Sequence, residues 1–149
     1  MKYAHSIKLN VFSYEHENSD VILKSFLEFF PFNLEENKVE LRKTTAQGFN
    51  ESTIVIFEIV LNKTNPINKF LDSIVNNLTQ DQKNAITEQS ESRLDKDLDF
   101  FLRFDKDSWI NGRKLALTDS GKCFHLKIRV AAFPSRREVA LKIIRKLFS

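Results

Sequence analysis

The sequence predicts an α+β fold: a mostly antiparallel sheet of about six strands with helices packed on one face. The expected order is β-α-β-β-α-α-β-β-β-α. Three observations predict it. Several short segments alternate polar and apolar residues with period two. Others repeat apolar residues at helical spacing. Consecutive strand-like segments are joined by short turns, which favour antiparallel pairing.

His5 to Val11 alternates, so Ile7, Leu9 and Val11 should face the core while Lys8 and Asn10 face out. Asn18-Ser19-Asp20 is a helix-start signal ahead of Val21, Ile22, Phe26, Phe29 and Phe30, and Pro31 should end that helix. Val39 to Arg42 alternates as a second strand, followed by a polar loop from Thr45 to Ser52 that contains Gly48 and Asn50. Ile54 to Leu61 is nearly all apolar and β-branched, and reads as a central strand buried on both faces.

Asn65-Pro66 opens a helix whose stripe is Ile67, Phe70, Leu71, Ile74, Val75 and Leu78. Thr79 and Gln82 form a capping box for a peripheral helix with few apolar residues. Leu98 to Phe104 alternates, with Leu98, Phe100, Leu102 and Phe104 on one face and Asp99, Phe101 and Arg103 on the other. Asp107 can cap a short turn ending at Gly112. Arg113 to Leu117 and Lys122 to Phe133 read as a hairpin around Asp119-Ser120-Gly121. In its second arm Phe124, Leu126, Ile128 and Val130 face in, and His125, Lys127 and Arg129 face out. Ser135-x-x-Glu138 should cap the last helix, whose core stripe is Val139, Ala140, Ile143, Ile144 and Leu147.

A chain of 149 residues fits one domain spanning 1–149. It is long enough to fold without a disulfide or a metal. The single Cys123 suits a reducing compartment. The N-terminus carries no secretory pattern, and no apolar run is long enough to span a membrane. A cytoplasmic location and no membrane partner are therefore expected. Charge is informative once divided. Residues 101–149 hold 12 Lys and Arg against 4 Asp and Glu, whereas residues 1–100 hold 11 against 16. Such asymmetry points to a surface that meets a polyanion.

Two stretches carry a family resemblance: Phe101-Leu102-Arg103-Phe104-Asp105-Lys106 running to Gly112, and Ala132-Phe133-Pro134-Ser135-Arg136-Arg137-Glu138-Val139-Ala140-Leu141. They resemble an archaeal family of predicted exosome-associated RNA-binding proteins. The likeness extends to the Gly48/Asn50 loop and to Ser92-Arg93-Leu94-Asp95. It implies RNA binding and a fold similar to the large-subunit ribosomal protein that binds 5S RNA. The family's usual Gly before the Phe-Leu-Arg strand is absent; Asp97-Leu98-Asp99 stands there.

The candidate nucleic-acid site is the polar face of the sheet together with the start of the last helix. Lys8, Arg103, Lys127 and Arg129 project opposite the core residues of their strands, and neighbouring strands would merge them into one surface. Such cations hold phosphates without reading sequence. Arg136 and Arg137 flank a helix start whose free N–H groups attract anions, and Lys106 can contribute from the neighbouring turn. The bland alternative is a solvated sheet face. Phe101 shares the face of Arg103, where it either stacks on an unpaired base or covers a helix or partner. Trp109 reads as a packing anchor.

No His/Cys spacing matches a zinc site, and no Gly-rich phosphate loop is present. Asp95, Asp97, Asp99, Asp105 and Asp107 read as strand ends and turns rather than a cation cage. A nuclease would need clustered carboxylates or a His/Lys pair in one cleft. The expected function is non-catalytic RNA binding without a cofactor, in RNA processing or ribosome-related work. The alternative is a protein–protein module, either a homodimer or an accessory subunit of an RNA-degrading assembly, with Phe101 buried against the partner.

Overall fold

A computed structural model describes all residues from 1 to 149. Five strands form one antiparallel sheet in the order β2-β3-β1-β5-β4. The strands are β1 (Ala4–Ser13), β2 (Leu41–Gln47), β3 (Thr53–Leu61), β4 (Asp99–Asp105) and β5 (Cys123–Val130). The helices are α1 (Ser19–Leu27), α2 (Thr64–Asn76), α3 (Gln80–Glu88), α4 (Ser90–Arg93), α5 (Lys106–Gly112) and α6 (Arg137–Leu147). No helix is long and apolar enough to cross a membrane.

The alternation in β1, β4 and β5 does what period two requires. Ile7, Leu9, Val11, Phe100, Leu102, Phe104, Phe124, Leu126, Ile128 and Val130 are all buried on one side. The apolar stripes of α1, α2 and α6 close over that side, and α1, α2, α5 and α6 contact its strands. The opposite side of the sheet stays open. The start of α1 is fixed by Asn18, whose Oδ1 accepts the N–H groups of Asp20 and Val21 at 3.1 and 3.3 Å. The start of α3 is fixed by the predicted box: Thr79 Oγ1 accepts Gln82 N–H at 3.1 Å, and Gln82 Oε1 accepts Thr79 N–H at 2.8 Å.

Several expectations are corrected. The sheet has five strands because Arg113–Leu117 is not a strand of a hairpin. That segment instead runs back along the outer edge of β4. Asp105 N–H donates to the Ala116 carbonyl at 2.7 Å and Thr118 N–H to the Arg103 carbonyl at 3.0 Å. It thereby covers an edge that would otherwise offer unpaired backbone groups. The peripheral helix is two, α3 and the short α4.

β3 is buried on one face only. Phe57, Ile59 and Leu61 are in the core, while Ile54, Ile56, Glu58 and Val60 are half-exposed on the open side. β2 lies further along than Val39–Arg42 because it is an edge strand exposed on nearly every residue, so its polar sequence carries no alternation. The first helix ends at Leu27, ahead of Phe29 and Phe30, which pack from the turn that follows. Pro66 sits in the first turn of α2 rather than at its first residue, where its missing N–H is equally harmless. The last helix begins after Arg136, and no side chain caps it, so Ser135 does not play that role. Leu98, in the turn where the resemblance leads one to expect Gly, has φ of 64°, in the left-handed region that favours Gly.

Candidate nucleic-acid interface

Strand register decides which side chains share the open face. Lys8 is paired with Lys127, Asn10 with His125, and Ser6 with Arg129 across β1 and β5. Phe101 is paired with Lys127, Arg103 with His125, and Asp99 with Arg129 across β4 and β5. On the other side of β1, Asn10 meets Glu58 and Phe12 meets Ile56. Beyond them, Arg42 also meets Glu58. Directly opposed residues in a sheet project to the same side. Lys8, Arg103, Lys127 and Arg129 are therefore neighbours on one surface, joined by Arg42.

Carboxylates interleave these cations. Asp99 is 2% exposed. It accepts two parallel bonds from Arg129, Nε and a terminal nitrogen each at 3.0 Å, and lies 3.4 Å from Lys127 Nζ. Glu58 lies 3.9 Å from both Lys8 and Arg42. Arg103 has no carboxylate partner; it donates to the Asp119 backbone carbonyl at 3.1 Å. His125 reports the field that remains. Burial pushes its pKa below the ordinary 6.5, and Arg103, Lys8 and Lys127 push it further in the same direction.

Three predicted site residues, Lys106, Arg136 and Arg137, lie elsewhere. Lys106 is 1% exposed. Its Nζ donates to the Phe12 carbonyl at 2.6 Å and to Glu17 at 3.0 Å, so it is an internal tie and cannot reach a phosphate. Arg136 and Arg137 stand with α6 on the helix-covered side. Arg137 donates to the carbonyls of Leu94, at 3.0 Å, and Glu91, which ties α6 to the end of α4. Arg136 lies 3.9 Å from Glu138. Neither joins the open-face cluster.

Sequence reasoning missed Arg93. It lines a cleft of about 470 Å³ at the β4 edge with Phe101, Arg103 and Asp119. Its guanidinium bonds Gln89 Oε1 at 3.0 and 2.6 Å and reaches the Phe101 carbonyl at 3.4 Å. Burial lowers its pKa, with Asp119 acting the other way. Trp109 is an anchor as expected: its ring stacks on Phe29 with centroids 4.1 Å apart, and Nε1 donates to the Ser25 carbonyl at 2.7 Å. Asp95 accepts the N–H groups of Asp97 and Asp99, both at 2.9 Å. Asp105 caps α5 through Ser108, and Asp107 pairs with Lys122 at 2.9 Å. Asp95, Asp99, Asp105 and Asp107 thus have separate local roles rather than one shared cage.

The burial of Asp99 has a pH signature. Burial alone would raise its pKa, but the Arg129 bonds and charge, with help from Lys127, hold it below 3.8. A depressed carboxyl pKa stabilises the fold above the unfolded value and loses that contribution as pH falls through the folded one. Stability should therefore drop as pH falls below about 4. Asp99→Asn should cost about 2 kcal/mol at pH 7, by removing the charge from a buried pair whose cations are partly solvated, and should flatten the acid slope. Urea unfolding across pH 3 to 7 checks both.

A family model described as RNA binding matches residues 6–130. The chain is 24% identical over 143 residues to RNA-binding protein PAB1135 of Pyrococcus abyssi, covering 96% of this chain and 92% of that protein. Among solved structures, protein AF2318 from Archaeoglobus fulgidus superposes with a TM-score of 0.81 at 22% identity, over 99% of each chain. Mth689, a DUF54 protein from Methanothermobacter thermautotrophicus, gives 0.78 at 23% identity, again over 99% of each. These structures share the fold.

Proposed function

This chain belongs to the RNA-binding family, and from that membership we propose that it binds RNA through the open face of its sheet, holding phosphates with Lys8, Arg103 and Lys127 and performing no catalysis. The single observation that carries the choice of face is the register that sets Lys8, Lys127, His125 and Arg103 side by side. Electrostatics supports it. Burial, and then Arg103, Lys8 and Lys127, push the half-buried His125 below its ordinary pKa, so an arriving phosphate meets three cations around it. Arg129 is held on Asp99 and contributes less; Arg103 and Arg93, free of ion pairs, line the adjoining cleft. Work in RNA processing is part of the same proposal and rests on the resemblance of the Phe101–Lys106 and Ala132–Leu141 stretches.

Lys8→Gln, Arg103→Gln and Lys127→Gln combined should weaken binding to a short RNA about tenfold at low salt. The slope of log affinity against log salt should become shallower by about two, because each lost phosphate contact removes about 0.7 on a single strand. Stability should change by no more than about 1 kcal/mol, since the groups are partly solvated. Fluorescence anisotropy over a salt series provides the test. An unchanged affinity and slope would remove this face from consideration.

A further inference from the structure

The open face carries rings as well as charges. Phe12, on β1, and Tyr14, just after its end, are 42% and 36% exposed, open for aromatic side chains beside a full core. Their centroids lie 6.5 Å apart. Tyr14 stacks on exposed His16 at 6.2 Å, with the planes 15° apart. Lys106 Nζ lies 5.2 Å from the Tyr14 centroid and is itself fixed to Glu17, so one ring of the row is braced from beneath. At the β4 side, Phe101 lies 5.5 Å from His125.

Register joins the two groups. His125 is opposed to Asn10, and Phe12 is the next residue of β1 on the same side, one diagonal step away. Phe101, His125 and Phe12 thus follow one another obliquely across β4, β5 and β1, and Tyr14 and His16 continue the row into the turn after β1. A depression of about 220 Å³, lined by Phe12, His125, Asn10 and Arg103, lies along this row. Lys8 and Lys127 flank it on one side and Arg103 on the other.

We propose that this row is a stacking track for unpaired RNA bases, so that the ligand class is single-stranded rather than duplex RNA. The inference rests on the RNA-binding reading above and deepens it. A duplex keeps its base faces stacked on each other and offers a protein only backbone and groove edges. A single strand offers both phosphates and free ring faces, and the face presents a partner for each. Rings that served only to pack the sheet would be covered.

The test measures anisotropy for one RNA sequence as a single strand and as a blunt duplex. Wild-type protein should bind the single strand at least about tenfold more tightly, the size expected from one or two stacked bases. Phe12→Leu with Tyr14→Leu should remove about tenfold or more of the single-strand affinity while leaving duplex affinity and the salt slope unchanged. Phe12→Trp with Tyr14→Trp should retain it, which separates stacking from a folding defect. Equal binding of both RNAs, or a leucine pair that binds the single strand like wild type, overturns the track and leaves phosphate binding intact. Failure of wild-type protein to bind either RNA overturns the RNA reading and this inference together.

Discussion

Trp109→Ala should destabilise the fold by about 4 kcal/mol. The indole is nearly buried and closes the cluster in which Phe29 also meets Phe124 at 5.0 Å and Phe104 at 6.2 Å. Removal costs the transfer energy of the ring and leaves a cavity beside Phe29. It also leaves the Ser25 carbonyl without the indole N–H. At about 2–4 °C per kcal/mol, the melting temperature should fall by about 8–16 °C. Trp109→Phe, which keeps most of the apolar contact, should lose about half as much. A loss below about 1 kcal/mol for the alanine variant would place the residue outside the core.

Lys106→Met should cost about 3 kcal/mol, although it preserves the bulk of the side chain. The loss comes from what remains: a carboxylate at Glu17 and a carbonyl at Phe12 that both lose their ammonium donor. In the intact protein, burial tends to raise the Glu17 pKa, but the Tyr14 N–H and Lys106 outweigh it and hold the carboxyl below 4.5. Without Lys106 the burial effect gains weight. The deficit should therefore be greatest at neutral pH and shrink as acid protonates Glu17. Adding Glu17→Gln should recover a large part of the loss, as expected when both members of a pair are neutralised. The salt slope of RNA binding should not change in either variant. Urea unfolding at pH 4 and pH 7 measures the deficit, and an equal loss at both would contradict the ion pair.

Lys106 also shows where sequence reasoning runs out. A lysine directly after a strand looks like a surface cation. Its burial is caused by Phe12 and Glu17, 94 and 89 residues away along the chain. The same holds for Arg129, whose partner Asp99 lies 30 residues off and is found only when the register of β4 on β5 is known. Side-chain parity, by contrast, was legible. Alternation alone puts Lys8, Arg103, Lys127 and Arg129 opposite the core, because period two is a property of the strand itself. The stripes of α2 and α6 and the anchoring of Trp109 were legible for similar local reasons.

Three of the corrected expectations concern strands. Arg113–Leu117 alternates, yet it pairs weakly with the outside of β4, which alternation does not distinguish from a hairpin arm. β2 has no apolar face to reveal it, and its pairing with β3 alone makes it a strand. The first strand runs on to Ser13, two residues beyond the predicted Val11, and that extension is what puts Phe12 on the open face. Each error concerns which segment lies beside which, the part of a fold that single-segment periodicity does not encode.

Side-chain NMR spectra recorded during titration with a short RNA test the choice of face most directly. The largest shifts should gather at His125, Arg103, Phe101, Lys8 and Lys127, with Arg137 and the exposed side of α6 unmoved. Shifts concentrated around Arg136 and Lys142, with His125 and its neighbours unchanged while RNA is bound, would place the ligand on the helical side and contradict the assignment.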